Sequence, residues 1–403
     1  MRIIYHHRTR GAGAEGVHIM GIVNAFRRLG HEVAIVSFPG ADPERKVTAQ
    51  VQPTTGEGKA RLSSRLSVVA GKIPEFMFEL LEVAYNLIAT VRLFRATDEA
   101  TGFVYERYSL FMFAGLFVAH IRGIPLILEV NDSALVPRVR PLVFRRLARW
   151  FESQIFRRAD ALVFISAYFR DLAQESYQLT GSHLAATGAR VGGPLLVLPN
   201  AADLDDFDYH GIDPARLRRE LNLDGKVVCG YVGAFVHWHG IDWFVEDILP
   251  MLRDYPDLVL LLVGDGVCYP VIQQQVIAHN AQSQVLLTGR LHHSEIAQYL
   301  AVMDFGVLPD SNEYGSPMKL FEFMAMGKAM VVPTFAPINE VVVDEHTAWL
   351  FPAGDRAACV ARVLEVYQDR DAQLRVGQQA RQYIEAERQW VHNAERILGL
   401  VNT

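Results

Sequence analysis

Cysteine is scarce: Cys229, Cys268 and Cys359 are the three in 403 residues, odd in number and far apart. A disulfide scaffold is thereby excluded and a reducing cytosol is the natural compartment. There is no CxxC and no Cys/His cluster with zinc-ligand spacing, so no metal is expected. Long apolar runs are missing as well. The longest, Leu110 to Ile121, is about 12 residues and contains His120, too short to span a bilayer. Nor is there a leader pattern, because Arg2-Ile3-Ile4-Tyr5 leads straight into His6-His7-Arg8. The expected place is the cytoplasm, extending to the inner face of the cell membrane.

Half of the residues are apolar and 21% are charged, the composition of a globular chain long enough for two or three domains with their own cores. The net charge of −6 conceals an asymmetry. Residues 1–195 carry 24 Lys and Arg against 17 Asp and Glu, and the remainder is acidic. A basic first half suits an anionic partner: a phosphorylated substrate, a lipid headgroup or a membrane surface. Nucleic acid is not expected, since no aromatic-basic interleaving stands out.

The chain reads as two successive α/β alternations. Arg2–His6 is a strand, Gly11-Ala12-Gly13-Ala14-Glu15-Gly16 a loop, Val17–Leu29 a helix stopped by Gly30, and Glu32–Phe38 a buried strand. Further strands are expected at Val104–Glu106, Pro125–Val130 and Ala161–Ile165. Met77, Leu80, Leu81, Ala84, Ile88 and Val91 form an apolar helix face, read as packing against a core. After a loop at Thr180–Pro194, strands are expected at Leu195–Leu198, Val227–Val232, Val259–Val263, Val285–Thr288, Phe305–Leu308 and Ala329–Val332. Ligands of such parallel sheets bind at the carboxyl ends of the strands.

The most informative segment is Gly315 to Lys328. Ser316 reads as an N-cap, Pro317 as the first helical residue and Gly327 as the stop. The N–H groups near Met318, Lys319 and Leu320 would form an anion site. Lys319 and Glu322, three apart, share a face and offer a cation for phosphate and a carboxylate for sugar hydroxyls. Other chemistry-bearing motifs are weaker. His237-Trp238-His239 lacks a carboxylate cluster and suits a loop or packing role. Asp203-Leu204-Asp205 lies in a turn and reads as structural. Gly11-x-Gly13-x-x-Gly16 matches a dinucleotide fingerprint, but its loop is long and the second strand ends Val36-Ser37-Phe38-Pro39 with no acid for a ribose.

The chain resembles the retaining glycosyltransferases of family 4. The resemblance runs through Gly11–Gly16, Tyr105-Glu106-Arg107-Tyr108, Pro125–Asp132, Leu198-Pro199-Asn200, Gly230-Tyr231-Val232-Gly233, His239-Gly240-Ile241-Asp242, Val263-Gly264-Asp265-Gly266, Gly289-Arg290 and Ser316–Gly327. It implies an α/β GT-B fold, two Rossmann-like parallel-sheet domains facing each other across a cleft. The expected division is 1–195 for an acceptor domain, 196–380 for a donor domain, and 381–403 for a helix returning to the first domain. Donor contacts would come from Gly233, Ala234, His239, Gly264, Arg290, Ser316, Pro317, Met318, Lys319, Leu320 and Glu322. Gly11, Gly13, Gly16 and His18 would face the transferred sugar and the acceptor. Lys319, Glu129 and Asn131 are the candidate catalytic residues.

Two departures from the family pattern stand out. Its Glu-x7-Glu pair would begin at Tyr314, with Glu313 one residue early, and its diphosphate-clamping Arg and Lys would fall at Ala234 and His239. Lys319 is then the main cation, with Arg290 or His239 in support. The resemblance implies transfer of a hexose or hexosamine from a UDP- or GDP-sugar to a hydroxyl acceptor, lipid-linked or phosphorylated, in polysaccharide or glycolipid assembly, with no cofactor. The rival readings are an NAD-dependent oxidoreductase, an epimerase of the same fold and a non-catalytic sugar-nucleotide-binding subunit. Lys59, Arg61, Arg65, Lys72 and the arginines of Arg138–Arg158 keep peripheral membrane contact open.

Overall fold

Two six-stranded parallel sheets, each in its own unit, make up this computed structural model. It describes residues 1–44, 74–138, 141–181, 193–208 and 211–401. The first unit comprises Met1–Leu198 together with residues from Asn393 onward, and the second Pro199–His392.

The first sheet contains β1 Arg2–His7, β2 Glu32–Ser37, β3 Thr101–Arg107, β4 Leu126–Val130, β5 Ala161–Phe164 and β6 Leu195–Val197, in the order 2-1-3-4-5-6. Its named helices are α1 Ala14–Arg28, α2 Glu75–Ala96, α3 Ala114–Arg122, α4 Arg145–Arg158 and α5 Ala167–Tyr177. The central strands are buried along their length because helices cover both faces, which is why they read as continuous apolar runs. In α1, Ile19, Ile22, Val23 and Phe26 turn into the core. The helix ends in a Schellman arrangement: Gly30 has φ +84°, and the N–H of His31 reaches back to the Phe26 carbonyl.

The second sheet contains β7 Val227–Val232, β8 Leu258–Val263, β9 Val285–Gly289, β10 Phe305–Val307, β11 Met330–Pro333 and β12 Trp349–Phe351. Its order, 12-11-10-7-8-9, puts β8 and β9 on one side of β7 and the parallel strands β10, β11 and β12 on the other, so the strand order switches between β7 and β10. A crevice at that switch point is where parallel sheets of this order hold ligands.

Three expectations change. Leu195–Leu198 does not open the second alternation, because β6 pairs with β5 and closes the first sheet. No break falls at residue 380, since a helix runs unbroken over Arg370–Glu387 and Arg381 donates to the Ala325 carbonyl. The apolar face of α2 is not a core face: Met77, Leu80, Leu81, Ile88 and Val91 are exposed, while Glu79, Tyr85, Asn86, Ala89 and Leu93 are buried. Polar partners decide that orientation. The Glu79 carboxylate accepts from the backbone N–H groups of Val143 and Phe144 at 2.6 and 3.0 Å, and Asn86 is bonded to the Phe111 carbonyl and the Phe113 and Ala114 N–H groups. The Thr180–Pro194 loop falls mostly, and Lys59, Arg61, Arg65 and Lys72 wholly, outside the described residues.

Candidate functional site

In the second unit, the switch point between β7 and β10 brings together the loop after Val232 and the helix Met318–Ala325. Pro317, not Ser316, is the N-cap. The Ser316 hydroxyl instead accepts the Asn200 N–H at 2.9 Å, and its carbonyl accepts the Asn200 side-chain amide at 2.6 Å. The serine thus anchors the turn rather than capping it. Leu320 is also not an open donor, since its N–H is bonded to the Pro317 carbonyl at 3.1 Å. Met318 and Lys319 remain in the first turn, whose N–H groups have no intrahelical acceptor. Gly327, with φ +66°, ends the helix as expected, with the Lys328 N–H on the Phe323 carbonyl.

Lys319 and Glu322 are both buried, so they are not an exposed surface pair. The Lys319 ammonium donates to the Tyr231 hydroxyl at 3.0 Å and stands 4.2 Å from the centre of that ring. Gly233, at the end of β7, makes this possible: a Cβ there would lie 2.9 Å from Lys319 Nζ. Burial lowers the ammonium pKa to about 7, partly offset by Glu322. Burial likewise raises Glu322 to about 7, partly offset by Lys319. Among the described residues Glu322 makes no side-chain hydrogen bond. A carboxylate and an ammonium one turn apart are thus held in a low-dielectric pocket, an environment in which charge on a ligand interacts strongly.

The other donor-side candidates divide. His239 lies within 3.4 Å of Lys319, and its Nδ1 is 3.0 Å from the Ala234 carbonyl and from the Tyr231 hydroxyl. Burial and the Lys319 charge lower its pKa to about 3. His239 is therefore neutral and cannot stand in as a cation, contrary to the sequence expectation. Ala234 contributes its carbonyl to this cluster. Gly264 follows β8, with its N–H on the Gly289 carbonyl at 3.0 Å, and exposed Arg290 follows β9. Tyr231 and Asn200, which hold Lys319 and Ser316, were not assigned roles from the sequence. Only the motifs Gly230-Tyr231-Val232-Gly233 and Leu198-Pro199-Asn200 pointed toward them.

His237 forms a 2.5 Å pair with Asp242, and Cys268 Sγ lies 3.4 Å from the same His237 Nδ1. Their ligand atoms are within 4.8 Å of one another, a metal-compatible spacing that the His-Trp-His motif alone did not reveal. Burial, with Asp242 adding to it, pushes the Cys268 thiol up to about 11, which opposes the thiolate that a metal requires. Asp203 accepts the Asp205 N–H at 3.3 Å, the turn role expected for that motif.

The first unit has its own polar cluster. His18 on α1 meets Glu129 at the end of β4 at 2.7 Å, and Arg107 at the end of β3 donates to the same carboxylate at 2.9 Å. Tyr105 donates to its other oxygen at 2.8 Å, and the Asn131 amide donates to the oxygen that His18 and Arg107 share. Burial alone would raise the Glu129 pKa, but the His18 interaction, with Arg107 and Tyr105, holds it at about 2. A carboxylate so low and so fully bonded orients His18 and Arg107. It is not a base poised near neutral pH. Glu129, a candidate catalytic residue from the sequence, is in this geometry an ion-pair and hydrogen-bond partner. Its folded pKa lies below the ordinary 4.5, so the stabilisation is present above 4.5 and disappears as pH falls toward 2. Glu129→Gln should lower unfolding stability at neutral pH by about 3 kcal/mol, and should remove this component of the acid-induced loss in urea titrations.

Gly11 and Gly16 have a packing explanation, and Gly13 a backbone one, at φ +60° with nothing within 4 Å of an added Cβ. A Cβ on Gly11 would stand 2.1 Å from the Ala41 carbonyl, and one on Gly16 would stand 3.0 Å from the Gly11 carbonyl. The loop is closed down on the chain after β2, which accounts for its glycines without a dinucleotide.

Residues 13–188 match the glycosyl transferase 4-like domain, and residues 226–369 match glycosyl transferases group 1. The α-D-kanosaminyltransferase of Streptomyces kanamyceticus is 23% identical over 255 residues, 62% of this chain and 63% of that protein. The chain thus spans less than two thirds of that relative's length. The 2-deoxystreptamine glucosyltransferase of the same organism is 25% identical over 410 residues, covering 95% and 99% of the two chains. Among solved structures, Anabaena HepE in complex with UDP matches over 100% of both chains with a TM-score of 0.70 at 15% identity, a likeness of fold. With matched domains in both halves and two parallel sheets of this order, the chain belongs to the GT-B glycosyltransferases of the family 4 type.

Proposed function

We propose that this protein is a retaining, metal-independent glycosyltransferase that moves a hexose or hexosamine from a UDP- or GDP-sugar to a hydroxyl acceptor in polysaccharide or glycolipid assembly. The observation that carries this reading is Lys319, buried against Tyr231 at the start of the helix after β10, with Glu322 one turn further on. The first-turn N–H groups and the Lys319 ammonium would receive the diphosphate, and Glu322 the ribose hydroxyls. As the sugar–phosphate bond breaks, negative charge grows on the leaving phosphate, where Lys319 stabilises it. In the retaining course, the acceptor attacks from the face that the diphosphate is leaving, and a phosphate oxygen helps take its proton. HepE has been solved with UDP and with UDP-glucose, which supports a uridine donor by analogy.

A panel of UDP- and GDP-sugars, with NAD as control, scored by release of free nucleotide, tests the reading. Donor-dependent release with a hydroxyl acceptor is expected. Binding of NAD with no sugar-nucleotide turnover would overturn it. Because the cation at the diphosphate site is a side chain, excess EDTA should leave turnover unchanged. Loss that Mg2+ or Mn2+ restores would refute metal independence.

A further inference from the structure

We propose that the exposed apolar surface built by α2, α3 and the start of α4 is a docking surface for an anionic lipid bilayer. It stands apart from the donor-site reading and would survive that reading's failure.

The helix α2 is amphipathic with its faces reversed. The acids turn inward: Glu79 is 4% exposed and bonded to backbone N–H groups, and Glu82 pairs with Arg8 at 2.6 Å. The outward face is apolar along the length of the helix, with Phe76, Met77, Leu80, Leu81, Leu87, Ile88 and Val91 exposed; Leu87 reaches 76%. A packed core helix would show the opposite pattern.

Neighbouring elements extend this face. The ring of Phe117 on α3 meets Phe94 of α2 with centroids 6.4 Å apart, and Phe117 and Ile121 are exposed. The Glu79 bonds hold Val143 and Phe144 beside the first turns of α2, and both are exposed. From there α4 adds Leu147 and Trp150, the latter 56% exposed. Contiguous apolar surface of this kind marks an interaction site.

The charges around it select the occupant. Arg145 and Arg146 occupy the first turn of α4, which contains no acid and where the helix dipole disfavours cations. Arg122 lies over Phe94 at 5.3 Å, and Arg95 is exposed in the last turn of α2. Arg95, Arg145 and Arg146 make no ion pair among the described residues. Glu75 is half-buried, and Asp98, beyond the helix end, is paired with Arg2. An apolar face with Trp and Phe, bordered by arginine, fits the boundary between headgroups and acyl chains of an anionic membrane. A two-fold pairing of copies would bring like arginine borders together. No helix among the described residues is long and apolar enough to cross a membrane, so contact would be interfacial.

Flotation of the full chain with phosphatidylcholine vesicles, with and without roughly a third phosphatidylglycerol, tests the proposal. Binding to the anionic vesicles, weakened by salt, is expected. Leu80→Asp with Leu87→Asp should reduce it at least about tenfold. Arg145→Glu with Arg146→Glu should reduce binding to anionic vesicles while leaving binding to neutral ones little changed. All four positions are on the outer face, and unchanged melting temperatures would verify folding. Failure of the wild type to bind anionic vesicles, or unaltered binding by the Leu variants, would overturn the proposal. So would a dimer that the Leu variants dissociate in the absence of lipid binding.

Discussion

Lys319→Ala should lower the turnover rate on the order of 100-fold or more, with a smaller loss in donor affinity. The ammonium is buried, rests on the Tyr231 ring and stands beside a histidine that burial keeps neutral. His239 therefore cannot take over its charge, and Ala234 has none to offer. Charge on the leaving diphosphate is greater in the transition state than in the bound donor, so the missing cation is felt mainly in the rate. Lys328 provides the internal control. It lies beyond the Gly327 stop, where burial lowers its pKa and Asp304 partly offsets this. Lys328→Ala should leave turnover nearly unchanged. Steady-state rates and calorimetric titration of the two variants separate rate from binding. Equal, small effects on turnover would mean that the diphosphate is held elsewhere.

Glu322→Ala should show the complementary pattern, with nucleotide affinity falling on the order of 100-fold or more. Two charge-assisted bonds to ribose hydroxyls are each worth about 1.5–3 kcal/mol. In the free protein the carboxylate is buried without a hydrogen-bond partner among the described residues, so the ribose would supply what the fold leaves out. The same pair sets a pH dependence. Burial lowers Lys319 and raises Glu322, each to about 7. Above that value Lys319 must regain a proton when the diphosphate binds, so affinity falls with rising pH by up to about tenfold per unit. Below it Glu322 must lose a proton to accept from the ribose, so affinity falls as pH drops. A UDP-sugar, whose phosphates do not titrate in this range, should thus bind best near pH 7. Glu322→Gln should abolish the acid limb and leave the alkaline one. A flat profile in the wild type would contradict this pairing.

Much of the fold was legible because parallel strands buried on both faces leave continuous apolar runs, as in Val227–Val232 and Leu258–Val263. Trp349–Phe351 escaped notice because three residues establish no period. Periodicity identified the apolar face of α2 but not its direction, which depends on Glu79 and Asn86 finding backbone partners in Val143, Phe144 and Phe111–Ala114. Local capping rules placed Ser316 at the helix start, whereas a residue 116 positions away claims both its hydroxyl and its carbonyl. Lys319 and Glu322 were visible in a single turn. Their burial and the support of Tyr231 were not, because these arise where β7 and β10 lie side by side. In the first unit, no sequence spacing linked Glu129 to both His18 and Arg107, which come from a helix, α1, and a neighbouring strand, β3.

The central claim is that the helix Met318–Ala325 is the donor diphosphate site, and a crystal soaked with UDP tests it most directly. The diphosphate should lie within hydrogen-bond distance of Lys319 Nζ and the first-turn N–H groups, with the ribose hydroxyls on Glu322. Nucleotide bound away from this turn, or bound here with Lys319 still on Tyr231 and no phosphate contact, would contradict the account.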